Sequence, residues 1–440
     1  MTRSRPSRTK PLRIGIAGLG TVGGGIIKIL EKHGGLIADR ACRPVEVVAV
    51  SARSKARKRS FPVGKYKWFA DPAAMALDPE IDVVVEVIGG AGGAAKKLVE
   101  TALKNGKAVA TANKALLAHH GYELARLAEK HDTALMYEAS VAGGIPIIKL
   151  LREGFAGNDI HAVYGILNGT CNYILTEMRA TGRDFKDVLK EAQAKGYAEA
   201  NPATDIEGTD TAHKICILSA LAFGIRPDMA HLPVSGIARL TAADIAHAEE
   251  LGYRVKLLGI ARRDGGRIVQ LVEPCLVPAG STVGAVDGVY NAVLIEGDFA
   301  GESLSVGRGA GEGPTASAVV ADLIDYALGF KTPVFSVATP RMKAAKRMDA
   351  GEMVSRFYLH LNVRDKPGVL AEIAAVMRDH KVSIESVVQR GHNPGKPVSI
   401  VMTTHKARRA EIEKACARIA KLASVAGTPC LMRIEDFARG

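Results

Sequence analysis

A chain of 440 residues has room for about three domains of ordinary size. It is 47% hydrophobic and 24% charged, so it can bury real cores, yet no apolar run is long enough to span a bilayer; the expectation is a cytoplasmic protein. The net charge of +13 invites a nucleic-acid reading, but aromatics are only 5%, they do not interleave with the basic residues, and no nucleic-acid module is visible. Much of the charge is local, in the tail "MTRSRPSRTK" and in "RSKARKRS" at 53–60, and it favours anionic small molecules such as phosphates. The six cysteines have neither CxxC nor Cys/His spacing, so neither a disulfide framework nor a zinc site is expected.

In chain order, residues 1–10 read as a frayed basic tail rather than a signal peptide, because a glycine-punctuated strand comes directly after them. "PLRIGIAGLGTVGGGIIKIL" predicts strand, turn and helix. Ile14 and Ile16 alternate with glycine, Gly18, Gly20, Thr21, Val22 and Gly23 fall in a GxGxxG turn, and Ile26, Ile27 and Leu30 carry a helical stripe. Glycines let the backbone approach a pyrophosphate, which the helix N-terminus then stabilises. Alone the pattern fits any glycine turn; placed strand-to-helix it points to a dinucleotide.

The next strand, "VEVVAVSARSKARKRS", ends in Ser51-Ala52-Arg53 where an NAD site would carry Asp or Glu. A 2′-phosphate wants cations and donors. Arg53 is the first candidate, with Lys55, Arg57 or Lys58 assisting; a solvated basic loop is the competing reading beyond Arg53. NADP preference is the resulting expectation. "IDVVVEVIGG" (81–90) is a near-continuous apolar strand, as expected when both sheet faces are covered, and the helix-then-strand rhythm after it predicts a doubly wound parallel sheet. "AVATANK" ends at Asn113-Lys114, a carboxyl end where such sheets bind ligands; a surface lysine capping the strand is the alternative.

"MYEASVAGGIPIIKLLRE" (136–153) predicts an apolar strand, a glycine–proline turn and a helix. Its exposed carbonyls and Glu138 could coordinate a cation, but on sequence alone a domain hinge is the favoured reading. "YGILNGTCNYILTEM" (164–178) carries a second turn, Asn168-Gly169-Thr170, able to meet a substrate. "GTDTAHKICILSALAFG" predicts a helix ended by Gly224, with residues 210, 214, 217, 218 and 221 on one face. Asp210 and Lys214 are then either an ordinary i,i+4 ion pair with a snorkelling lysine, or a carboxylate holding a desolvated proton donor. In the second reading Glu199 and Asp205 bind a cationic or hydroxylated substrate. Residues 255–300 read as a mainly antiparallel sheet, and 304–328 as a glycine-rich turn and helix that returns the chain to the cofactor.

These stretches resemble a family. "GLGTVG", "TANKALLAHHG", "YEASVAGGIPII", "GILNGTCNYIL", "GYAEANPATDIEGTDTAHK" and "GRGAGEGPTAS" together resemble bacterial homoserine dehydrogenases of the long, regulated type, over nearly the whole chain. The resemblance implies reversible NAD(P)-dependent interconversion of L-homoserine and L-aspartate 4-semialdehyde. It implies Lys214 as general acid/base, Lys114 as a second lysine near substrate and nicotinamide, and Glu199, Asp205 and Asp210 as homoserine carboxylates, with Gly196 beside them. It implies a monovalent-cation site (Na+ or K+) at Glu138, Val141, Gly143 and Ile145, and Gly311 and Glu312 in a second glycine loop closing on the cofactor. One departure is Asn201, in "AEANP" where the family usually reads "AEADP".

The C-terminal stretches "FYLHLNVRDKPGVLAEIAAVMRDHKVSIESVVQR", "PVSIVMTTH" and "EIEKACARIAKL" resemble an ACT domain, with "DKPGVL" as its usual turn. This implies feedback inhibition by L-threonine, or a dimerisation module. The expected organisation is a tail at 1–10 and a Rossmann-type NADP domain at 11–145, with 305–330 returning to it. An α+β catalytic and dimerisation domain at 146–304, a linker at 331–352 and a ferredoxin-like ACT domain at 353–435 complete it, in a homodimer or homotetramer. Threonine, methionine and isoleucine biosynthesis is the implied setting. Competing readings are another NADP-dependent reductase of a semialdehyde or keto acid, and an amino-acid sensor that has lost catalysis.

Overall fold

The computed structural model describes residues 10–389 and 397–437. The basic tail at 1–9 and the connection at 390–396 lie outside the described residues. The chain divides into two compact units: Met1–Leu167 with Ala212–Leu232 and Asn291–Ala345, and Asn168–Thr211 with Pro233–Tyr290 and Lys346–Gly440.

The first unit opens with six strands: β1 Leu12–Ala17, β2 Val45–Ser51, β3 Lys67–Phe69, β4 Val83–Glu86, β5 Ala108–Thr111 and β6 Leu135–Met136. They pair in parallel in the order β3-β2-β1-β4-β5-β6, so the winding reverses between β1 and β4. Doubly wound sheets bind ligands outside the carboxyl ends of strands at such a reversal. Strands β4 and β5 are buried throughout, as apolar runs covered on both faces must be. The helix Thr21–Ala41 follows β1 and packs on the helix Glu312–Leu328, which returns to this layer from far along the chain. Gly25 permits the contact: a Cβ there would lie 2.8 Å from Glu312 Cγ and 3.0 Å from the Ala316 Cβ.

Further strands are β7 Ile160–Ile166, β8 Tyr253–Asp264, β9 Arg267–Pro278, β10 Tyr290–Gly297, β11 Gly301–Arg308, β12 Val354–Arg364, β13 Ile384–Gln389, β14 Pro397–Thr404, β15 Ala407–Arg408 and β16 Val425–Ile434. In the first unit β11, β10 and β7 are neighbours, β10 antiparallel to β7. In the second, the antiparallel hairpin β8–β9 runs on through a short parallel pairing of β9 with β16 into the order β16-β12-β14-β13. The helices Val369–Asp379 and Arg409–Ile419 cover one face of that four-stranded part, burying Phe357, Leu359, Leu361, Ile400 and Met402. This is the strand–helix–strand–strand–helix–strand arrangement expected of the ACT stretch. At the parallel junction Arg433 is enclosed, with Nε 2.7 Å from Glu273, whose other oxygen takes Arg409 at 2.7 Å.

Two expectations differ from the fold. The helix predicted after Pro146 is three residues, Ile147–Lys149, loosening into a π turn at Leu150–Gly154. Its start is held by Glu138, whose carboxylate accepts the Ile148 and Lys149 amides at 2.9 Å each. The segment 331–352, expected as a linker, is packed. Val334, Phe335, Thr339 and Met342 are buried, the Tyr137 hydroxyl donates to the Val334 carbonyl, and Glu129 accepts the Thr339 amide at 2.9 Å.

Candidate active site

In the first unit the glycine turn leaves β1 at the reversal point. Gly18 has φ +104, and a Cβ there would meet the Val87 carbonyl oxygen at 2.4 Å. A Cβ on Gly23 would meet the Gly18 oxygen at 2.0 Å, so both glycines are required by backbone against backbone. Gly20 is different: nothing lies within 4 Å of where its Cβ would be. It is also the N-cap of the helix Thr21–Ala41, with no side-chain cap and no acidic residue in the first turn. Free helix-start amides beside open space, with Thr21 exposed and Val22 half-buried, form a cradle that fits a pyrophosphate.

Arg53 is exposed just beyond β2, whose last residue Ser51 is buried and accepts the Gly18 amide at 2.9 Å through its carbonyl. The basic loop after it is organised by Arg59, which donates to the carbonyls of Ser54 at 2.8 Å and Arg57 at 2.9 Å. Lys55 lies over the Trp68 ring, 6.0 Å from its centroid. Charge density alone could not separate the exposed Arg53 from Arg59, which folds inward.

At the ends of β4 and β5, Glu86 is fully buried. Its carboxylate accepts the Ile88 amide at 2.8 Å, the Gly89 amide at 3.1 Å and the Thr111 hydroxyl at 2.6 Å. Asn113 caps the helix Lys114–Lys130 through Leu116 and donates to the Gly90 carbonyl at 2.8 Å. Lys114 is therefore the first helical residue, half-buried, on a frame that Glu86 and Asn113 hold. Glu86 was not singled out from the sequence, where it reads as one polar residue in an apolar strand.

Glu138 is buried, and its amide donates to Asp322 at 3.0 Å; burial pushes both carboxyls above their usual range. Val141, Gly143 and Ile145 are buried in the following turn. Gly143 has φ +42 and a Cβ there would sit 2.7 Å from the Gly309 oxygen, while the Ile145 carbonyl accepts the Ile147 amide. Gly311 has φ +117 and opens the helix Glu312–Leu328; Glu312 itself bonds Lys28 at 2.5 Å.

The helix Thr209–Phe223 carries Asp210 and Lys214 one turn apart and ends at Gly224, φ +62. Every residue from Asp210 to Leu221 is buried, so the helix has no solvent face at its start. Lys214 is thus enclosed rather than reaching out to solvent. Lys214 is 7% exposed, and within the first unit its ammonium donates to the Leu167 carbonyl at 2.7 Å.

In the second unit the acidic residues converge on one amide. Asn168 Nδ2 donates to Asp205 Oδ1 at 2.7 Å and to Asp210 Oδ2 at 2.9 Å, and its Oδ1 accepts the Cys171 amide at 2.9 Å, capping the helix Gly169–Thr181. The Thr170 hydroxyl donates to the Tyr197 carbonyl at 2.7 Å. Gly196, φ +73, turns the chain after the helix Phe185–Ala194, and Glu199 is exposed in the loop beyond, its carbonyl accepting Gln193 Nε2 at 3.1 Å. Asn201 is exposed and accepts the Ala203 amide at 3.3 Å, a turn bond its oxygen makes as an aspartate would.

In the first unit, a nucleotide cradle on a parallel sheet suits redox chemistry with a dinucleotide. Residues 18–138 match the homoserine dehydrogenase NAD-binding domain, 146–324 the homoserine dehydrogenase domain, and 358–424 the ACT domain. The homoserine dehydrogenase of Neisseria gonorrhoeae is 44% identical over 434 residues, 97% of this chain and 99% of that one. That of Pseudomonas aeruginosa is 42% identical over 97% of this chain and 100% of its own. A solved homoserine dehydrogenase from Thiobacillus denitrificans superposes with a TM-score of 0.91 at 43% identity, covering 97% of this chain and 99% of that one. A hyperthermophilic archaeal homoserine dehydrogenase in complex with NADPH covers 74% of this chain and 100% of its own, with a TM-score of 0.63 at 27% identity. From its nucleotide cradle to its C-terminal ACT domain, the chain belongs to the homoserine dehydrogenase family.

Proposed function

We propose that this chain reversibly interconverts L-homoserine and L-aspartate 4-semialdehyde with NADP in preference to NAD, in threonine, methionine and isoleucine biosynthesis in the cytoplasm. The observation that carries the reading is the enclosed Lys214 ammonium, bonded to the Leu167 carbonyl and one helical turn from an equally enclosed Asp210. Lys214 Nζ holds the proton exchanged with the substrate oxygen at C4. Asp205 and Asp210 bind homoserine, Asp205 with Glu199 facing its ammonium, and Lys114 with Gly196 completes the substrate's surroundings. When bound, the nicotinamide supplies the hydride acceptor and donor. Gly18, Gly20, Thr21, Val22 and Gly23 hold the pyrophosphate, Arg53 with Lys55 the 2′-phosphate, and Lys114, Gly311 and Glu312 the nicotinamide side.

Glu138 with the carbonyls of Val141, Gly143 and Ile145 is an oxygen donor set of single charge, suited to Na+ or K+. Such an ion orders the turn and takes no part in proton or hydride transfer.

The ACT domain supports regulation, with L-threonine as effector and a homodimer or homotetramer as the working assembly. One assay tests the proposal: oxidation of NADPH against NADH with aspartate semialdehyde, with and without L-threonine. Preferred turnover of NADPH, slowed by threonine, is expected. Turnover of other semialdehydes or keto acids but not this one refutes the substrate.

A further inference from the structure

We propose that Asn168 is the positioning residue of the substrate carboxylates, fixing the spacing of Asp205 and Asp210; this rests on the reading that they bind homoserine. Asn168 is 6% exposed, both its N–H groups donate and its side-chain oxygen accepts. One nitrogen carries two N–H groups in a plane, and each goes to a different carboxylate, at 2.7 and 2.9 Å. Two like charges repel, and a neutral double donor that bonds both holds each carboxylate oxygen at a fixed place.

The amide cannot turn over to other partners, because its oxygen is committed to the Cys171 amide at the start of the helix Gly169–Thr181. That cap sets the side chain's direction before any substrate arrives. The same turn grips the acidic segment twice more: the Cys171 thiol donates to the Asp205 carbonyl at 3.2 Å, and the Thr170 hydroxyl to the Tyr197 carbonyl. Serine could cap the helix but is too short to reach both carboxylates, and aspartate would cap it while adding a third negative charge. The requirement is for a short side chain with one acceptor and two donors, which among the twenty only asparagine supplies.

The test uses the full-length enzyme with Asn168→Ser and Asn168→Asp. In both, the KM for homoserine is expected to rise roughly tenfold or more, the usual worth of a misplaced charge-assisted hydrogen bond, while the KM for NADP+ stays within about twofold. A merely structural role would lower the melting temperature and leave the homoserine KM where it was; that result overturns the proposal. If Asn168→Asp does not fold, Asn168→Ser, which keeps the cap oxygen and adds no charge, decides on KM alone. Asp205→Asn separates the two levels. A raised homoserine KM there with unchanged Asn168 variants sinks only the positioning role, whereas an unchanged KM in Asp205→Asn sinks the carboxylate reading and this inference with it.

Discussion

Replacing Lys214 with Met isolates the proposed proton transfer from packing. The stem is 7% exposed and lies in a helix buried throughout its first three turns, so Met fills nearly the same space. The substitution removes one ammonium and one donor to the Leu167 carbonyl. Leaving that carbonyl without its donor costs about 1–3 kcal/mol. The denaturation midpoint is measured beside turnover, so that lost folding is not read as lost catalysis. The rate should not be spared: general acid–base catalysis is worth roughly a hundred- to ten-thousand-fold, or about 3–5 kcal/mol of barrier. Steady-state NADPH oxidation with aspartate semialdehyde measures kcat, and quenching of NADPH fluorescence measures cofactor binding separately. A variant that binds NADPH normally and turns over within about threefold of the parent refutes the role of Lys214.

Other parts of the molecule give further expected outcomes. Arg53→Asp, at an exposed position beside the end of β2, should cost kcat/KM for NADPH roughly ten- to a hundredfold, the worth of a hydrogen bond to a charged group, and leave NADH nearly unchanged; equal effects on both cofactors would contradict the 2′-phosphate assignment. Gly25→Val forces a side chain into the contact between the helices Thr21–Ala41 and Glu312–Leu328, where a Cβ already meets Glu312 Cγ at 2.8 Å. Overpacking there should destabilise the chain by about 1–3 kcal/mol, read as a lower denaturation midpoint. Arg433→Met leaves Glu273 with one of its two arginines at the junction of β9 and β16, and should cost about 3–5 kcal/mol in chemical denaturation, because breaking a buried pair strands its partner; a loss under 1 kcal/mol would show that Arg409 alone suffices.

The parts legible in the sequence are those whose physics is local. The GxGxxG turn needs only glycines at the right spacing between an alternating strand and a helical stripe, and the structure gives each glycine its reason: backbone contact at Gly18 and Gly23, open space at Gly20. The apolar runs of β4 and β5 announced a sheet covered on both faces. The end of the acidic helix at Gly224 was equally readable, since a left-handed residue there suits glycine. The family resemblance then lent roles to Lys214, Lys114 and the carboxylates that spacing alone had left open.

What the sequence by itself determined is the order of its elements and the chemistry available at their ends: a phosphate-binding turn, a basic loop after β2, an acidic helix start with one lysine. What only tertiary structure decided is which of these groups are desolvated and which meet. An i,i+4 pair of Asp210 and Lys214 has the same spacing on a wet surface as in a core, and only the folded chain shows that both are enclosed. Asn168 stands 37 residues from Asp205 and 42 from Asp210, beyond any local pattern, so its hold on both carboxylates exists only after the chain has closed those distances.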